Sequence, residues 1–109
     1  MTSYNLDQFT MTHAQVLIGT TADITEWDDD ELQHKVTYPG ARVTGIIDRI
    51  GPYLVIETAG AVNTDARTGE QLGTRPPQPE LRIAFTWICE VTDIRDAGTS
   101  PAPLQTRRA

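Results

Sequence analysis

The chain has 109 residues, 39% of them apolar, and its nine basic against fifteen acidic side chains give a formal net charge of −6. That length holds one core and excludes a second, separate substrate domain. The charge is the wrong field for a phosphate backbone, so nucleic acid is not the expected partner. No run of about 18 apolar residues is present to span a bilayer, and residues 1–12 lack the basic-then-apolar pattern of a secretory signal. A cytoplasmic protein, or a virion protein if a phage encodes it, is therefore expected, with no membrane contact. The lone Cys89 cannot form an internal disulfide.

Residues 1–12 are polar, with Tyr4, Leu6 and Phe9 scattered among them, and read as an N-terminal arm ordered only against something else. From 13 to 24 the alternation of Ala14, Val16, Ile18, Ala22 and Ile24 predicts a strand bent at Gly19. Asp28 and Glu31 have the spacing of a capping-box variant, which predicts a helix of one or two turns ending before Val36. A short strand over 36–38 then meets a turn at Pro39 and Gly40.

The runs 41–50 and 53–58, split by Gly51 and Pro52, predict a hairpin with apolar residues on both faces, more deeply buried than its flanks. In outline this hairpin is similar to the central hairpin of SH3-like and OB-type barrels, without a residue diagnostic of either. Residues 60–80 predict a protruding β-arm around a turn at Asp65–Gly69, with Val62 on one leg and Leu72 on the other. Pro76, Pro77 and Pro79 then stiffen the path into the last strand. From 81 to 91 every odd position is apolar, including Trp87 and Cys89, which predicts one long strand with both on the core face. Residues 96–109 form a Pro-, Thr- and Arg-containing tail.

Taken together, these elements predict an all-β, mainly antiparallel domain over 13–95, a small barrel or sandwich with one short helix, a protruding β-arm over 60–80 and extended N- and C-terminal tails. Enzyme chemistry finds no foothold in the sequence. Ser3 and Ser100 lie in the tails, His13 and His34 lack zinc-ligand spacing, and no Gly-rich phosphate loop is present. Asp28 and Asp30 lack the glycine and later carboxylate of a calcium loop. No cofactor, metal or catalytic residue is therefore assigned.

The acidic cluster of Asp23, Glu26, Asp28, Asp29, Asp30 and Glu31 equals the whole net charge. It reads as a solvated helix start or as a patch that meets a basic partner. Trp27 beside it reads as a core cap or as an interface anchor. The partner-binding candidates are Trp27, Asp28, Asp29, Asp30, Glu31, Asp65 and Arg67, with Arg107 and Arg108 in the tail.

The expected function is a non-enzymatic structural or assembly protein, a homo-oligomer or part of a larger particle. A small bacteriophage virion component, such as a capsid decoration, head-to-tail connector or tail protein, is the specific form. The competing class is a cytosolic binding module. It would be either a nucleic-acid binder using Arg42, Arg49, Arg67, Arg75 and Arg82 with Tyr38 and Tyr53, or an acidic inhibitor of a DNA-binding enzyme.

Overall fold

Strand β3 (His34–Ile47) is the spine of the molecule. The computed structural model describes residues 2–5 and 8–96, the first four as backbone alone. One edge of β3 pairs over residues 35–42 with β2 (Thr20–Trp27), while the other edge is shared between β4 (Tyr53–Thr58) and β5 (Ala61–Asp65). The expected turn at Pro39 and Gly40 is instead a bulge within this single strand. The register jumps from Ala22↔Ala41 to Ile24↔Tyr38, and the Asp23 carboxylate accepts the Gly40 N–H at 2.8 Å. Gly40 sits at φ 59°, which a side chain rarely adopts.

The pair β4 and β5 runs opposite β6 (Gln71–Arg75) and β7 (Gln78–Ala84), so that 53–84 is one long hairpin folded in the middle. Its corner lies between the Thr58↔Gln78 and Ala61↔Arg75 pairs. There Gly60 has φ 144°, and a Cβ on it would stand 3.2 Å from the Arg75 carbonyl. Pro76 and Pro77 turn the opposite leg. The predicted β-arm is therefore present as β5–β6, with Val62 opposite Thr74.

After β7 the 3-10 turn Phe85–Trp87 carries the chain to β8 (Ile88–Asp96), which pairs with β2 on one side and β1 (Thr2–Asn5) on the other. The path of the sheet is β1-β8-β2-β3-β4-β7, antiparallel throughout and not closed into a barrel. The long alternating strand expected over 81–91 is thus split. The turn, and the register shift between Thr25↔Glu90 and Glu26↔Ile88, move the phase so that Ile88 and Val91 face the core. Trp87 and Cys89 are only half-buried as a result. The Cys89 thiol donates to the Thr25 carbonyl at 3.6 Å, and burial pushes its pKa up.

The helix is α1 (Met11–Leu17), within the stretch expected to be arm and strand. Thr10 and His13 form its capping box, the Thr10 side chain accepting the His13 N–H and the imidazole accepting the Thr10 N–H. Ala14 and Leu17 are fully buried at helical spacing, while Gln15 and Val16 face out. Phe9 is buried ahead of the helix, edge-on to Phe85 at 4.9 Å between centroids. Burial of Phe9, Ala14 and Leu17 overrode the alternation that had suggested a strand.

No helix forms at 28–35. Asp29 instead closes the β2–β3 turn, its carboxylate accepting the Gln33 N–H at 2.9 Å and the His34 N–H at 3.3 Å, with Leu32 at φ 57°. Residues 97–109 of the expected tail lie outside the described residues.

The core is the concave face of this folded sheet, capped by α1. It contains Ile24, Val36, Val43, Leu54, Ile56, Ile83, Phe85, Ile88 and Val91. The 41–58 hairpin buries one face alone. Val43, Leu54 and Ile56 point in, Tyr53 is exposed, and Ile50 at the tip is fully exposed. Leu54→Ala should lower unfolding free energy by about 2–5 kcal/mol in urea melts. Leu72→Ala, at a position half-exposed on β6, should change it by less than about 0.5 kcal/mol.

Candidate functional site

Two turns distant in sequence meet at one end of the molecule. β3 pairs with β5 through His34↔Asp65, and the Ala66 N–H donates to the Gln33 carbonyl at 2.9 Å. The β2–β3 turn, with Asp28, Asp29, Asp30 and Glu31, therefore lies beside the β5–β6 turn, with Asp65, Arg67 and Glu70. Most of the candidates picked out in sequence fall on this one surface. Arg107 and Arg108 lie outside the described residues.

Each carboxylate here has its own surroundings. Asp29 accepts from the two backbone N–H groups of its turn, and its second oxygen lies 2.8 Å from His34 Nδ1. Those backbone bonds first, and the imidazole next, hold its pKa below the ordinary carboxylate value. Asp65 accepts from the N–H groups of Arg67 and Thr68, which lower its pKa in the same way. Asp28 bonds Arg75 at 3.0 Å, and the same guanidinium donates through Nε to Asn63 at 3.2 Å. Asp30 and Glu31 are exposed. Trp27 is half-buried with the Lys35 ammonium 4.8 Å from its ring centroid.

Beneath the turns, the core face ends in a polar contact that sequence reasoning did not find. Glu26 pairs with Val36 and Ile24 pairs with Tyr38, which puts both polar side chains on the inner face of β2 and β3. The Tyr38 hydroxyl donates to Glu26 at 2.5 Å. Burial, the largest cause, raises the Glu26 pKa against the Tyr38 bond and the nearby Arg75. Burial and the adjacent carboxylate push the Tyr38 pKa far above its ordinary value. The available signal was Tyr38 at an inward position of the alternation, opposite a carboxylate in register. Tyr38 is buried and so is no platform for stacking bases.

Two further arginines of the basic stripe considered above lie near acids. Arg82 lies 3.4 Å from Glu80, and Arg42 is in register with Glu57. Among the described residues, no group of three His, Cys, Asp or Glu side chains is placed to hold a metal ion, and no helix is long and apolar enough to cross a membrane. A shallow groove of about 280 Å³ opens beside Phe9 and Phe85, lined also by Gln8, Thr86 and Ile88, none of which titrates.

β6 forms the outer leg of the arm. Among the described residues it pairs with β5 alone, and residues 71–74 are exposed. The Ala66 N–H donates to Gln33 and the β3–β5 ladder is regular, so the even positions of β5 bond β3 and its odd positions 61, 63 and 65 bond β6, across a bulge at Leu72 between Asn63↔Gly73 and Thr64↔Gln71. The Val62↔Thr74 pair falls between them, which turns the Thr74 backbone N–H and C=O outward. Further along the same leg, β7 carries Pro79, which has no N–H to offer. The open edge of β6 lacks the prolines and lysines that usually block edge pairing. Comparison with family models, with curated proteins and with solved structures finds no match to this chain.

The titrations run in opposite directions. A raised carboxylate binds its proton more tightly when folded, so Glu26 subtracts stability as pH rises from its ordinary value of 4.5 through the raised one. Depressed carboxylates such as Asp29 and Asp65 contribute stability above their ordinary value of 3.8, and it is lost as pH falls through the lowered one. Glu26→Gln keeps an acceptor for Tyr38. It should raise the melting temperature relative to wild type at pH 7 and by less at pH 4, as read by thermal scans. Tyr38→Phe, which leaves the half-buried carboxylate without its donor, should destabilise by about 1–3 kcal/mol at pH 7.

Proposed function

We propose that this chain is a non-enzymatic assembly protein, a subunit that joins other protein subunits of a larger particle. The observation that carries this reading is the open edge of β6, an exposed and unblocked strand edge on an arm flanked by acidic turns. Such an edge supplies main-chain hydrogen bonds to an incoming strand, which gives affinity without a deep pocket. The acidic turns add a charge that sets orientation and favours a basic partner. The folded sheet supplies rigidity, and the corner at Gly60 with Pro76 and Pro77 fixes the direction of the arm. A small bacteriophage virion component, whether capsid decoration, head-to-tail connector or tail protein, is the specific form proposed. A short chain built as a rigid sheet with an arm and a tail suits that role.

Sedimentation of a native-source extract tests the assembly reading. Wild-type chain should travel in a particle much larger than a monomer. Thr74→Pro, which removes an outward N–H without touching the bonds to β5, should remain at the top of the gradient with its thermal melt within a few degrees of wild type. Wild-type chain sedimenting as a free monomer, or Thr74→Pro entering the particle as well as wild type, would overturn the proposal.

A further inference from the structure

We infer that the open edge of β6 accepts the C-terminal segment, residues 97–109, of a second copy of this chain, added as an antiparallel strand. The inference rests on the assembly reading and names its partner.

Charge is the first argument. All fifteen acidic residues precede residue 97, and the only charged side chains after it are Arg107 and Arg108. The arm end of the body presents Asp30, Glu31, Asp65 and Glu70 in its two neighbouring turns, against the exposed Arg67, so it is acidic on balance. The segment is thus the part of the chain with charge opposite to the surface around β6.

Strand chemistry is the second. Pro101 and Pro103 cannot donate to a ladder, but the stretch 104–108, Leu-Gln-Thr-Arg-Arg, has an N–H at every position. It matches the five residues of β6 in length. Antiparallel addition sets the arginines beside Gln71 and Glu70, next to the acidic turns. Parallel addition would set them against Arg75.

Placement is the third. Glu26↔Ile88 lies at the arm end of the β2–β8 ladder and Thr20↔Asp96 at the other, so the described chain leaves the sheet at the end away from the arm. The length of β8 from Ile88 to Asp96 is about 27 Å at a strand's rise. To reach its own β6, the segment would have to double back along the body, whereas outward it meets the arm of a following copy. The contact is then head-to-tail and heterologous, the kind that builds rings or filaments.

Two measurements on the full chain test this. Light scattering during size-exclusion chromatography at rising protein concentration should show wild-type mass growing beyond the monomer at low salt and falling back as salt screens the charges. Arg107→Glu with Arg108→Glu should weaken that growth about ten-fold or more. In the second, a labelled peptide of residues 97–109 is titrated onto that double variant and followed by fluorescence anisotropy. It should bind, and a Thr74→Pro change in the same background should abolish binding while leaving the melt in place.

Failure of the peptide to bind, or equal binding with and without Thr74→Pro, would overturn the inference. If a chain ending at Asp96 still enters the native particle through a contact that Thr74→Pro breaks, the tail is excluded as occupant and the assembly reading stands with a foreign strand on β6. If neither variant changes entry into the particle, both fall.

Discussion

The rest of the molecule depends on how β3 divides one of its edges between two partners. A strand of this length cannot stay flat while both its ends cover one small core. The bulge at Pro39 and Gly40 bends it, and the Asp23 carboxylate satisfies the N–H that the bend takes out of the ladder. Whatever pairs with the far edge must bend at the same level. That requirement explains why 53–84 is a folded hairpin with its corner at Gly60, and why β5 and β6 diverge from β4 and β7. The arm follows from the geometry of β3, so it belongs to the rigid body of the sheet.

The same bend leaves the core open at one end, and polar chemistry fills the opening. Inner-face positions that would be apolar deeper in the sheet hold Glu26, Asn63 and Arg75, with the Tyr38 hydroxyl reaching toward them. Arg75 links β6 to Asp28 of the β2–β3 turn and to Asn63 of β5, so three segments share one guanidinium. An ion pair this exposed contributes little by itself. Its planar fork nevertheless spans from the base of the arm to the β2–β3 turn. Glu26 is retained on the core side at a cost to stability near neutral pH, which a purely apolar closure would avoid.

Local chemistry was legible in the sequence and phase was not. The antiparallel β class, the hairpin at Gly51 and Pro52 and the arm around Asp65 to Gly69 all rest on turn residues and short alternations, and the structure contains them. The errors came where two periodicities overlapped. Ala14 and Leu17 fit a helical face as well as a strand once Phe9 and Thr10 are counted as its start. In 81–91 a nearly unbroken alternation ran through a 3-10 turn and a bulge, and either device shifts which side chains face inward. Cys89 and Trp87 thereby left the core and Ile88 entered it. The acidic cluster was visible as composition. Its juxtaposition with the Asp65 turn was not, because it depends on β5 choosing the β3 edge next to His34, a long-range pairing without a local signature.

A sheet that is folded yet not closed must leave edges, and this one protects them unevenly. β7 has Pro79 within it and two more prolines just before it, which remove N–H groups from its path. β6 has a glycine at its centre, an exposed leucine and its single charge already engaged with Asp28. Edge protection is a matter of a few residues, and a lysine at 72 or a proline at 74 would supply it without disturbing the bonds to β5. On the proposed assembly reading, an edge left open beside a concentration of negative charge would be selective: repulsion would disfavour acidic strands, and main-chain pairing would remain available to a basic one. The open edge of β6 therefore runs directly to the acidic turn on which that proposed choice of partner rests.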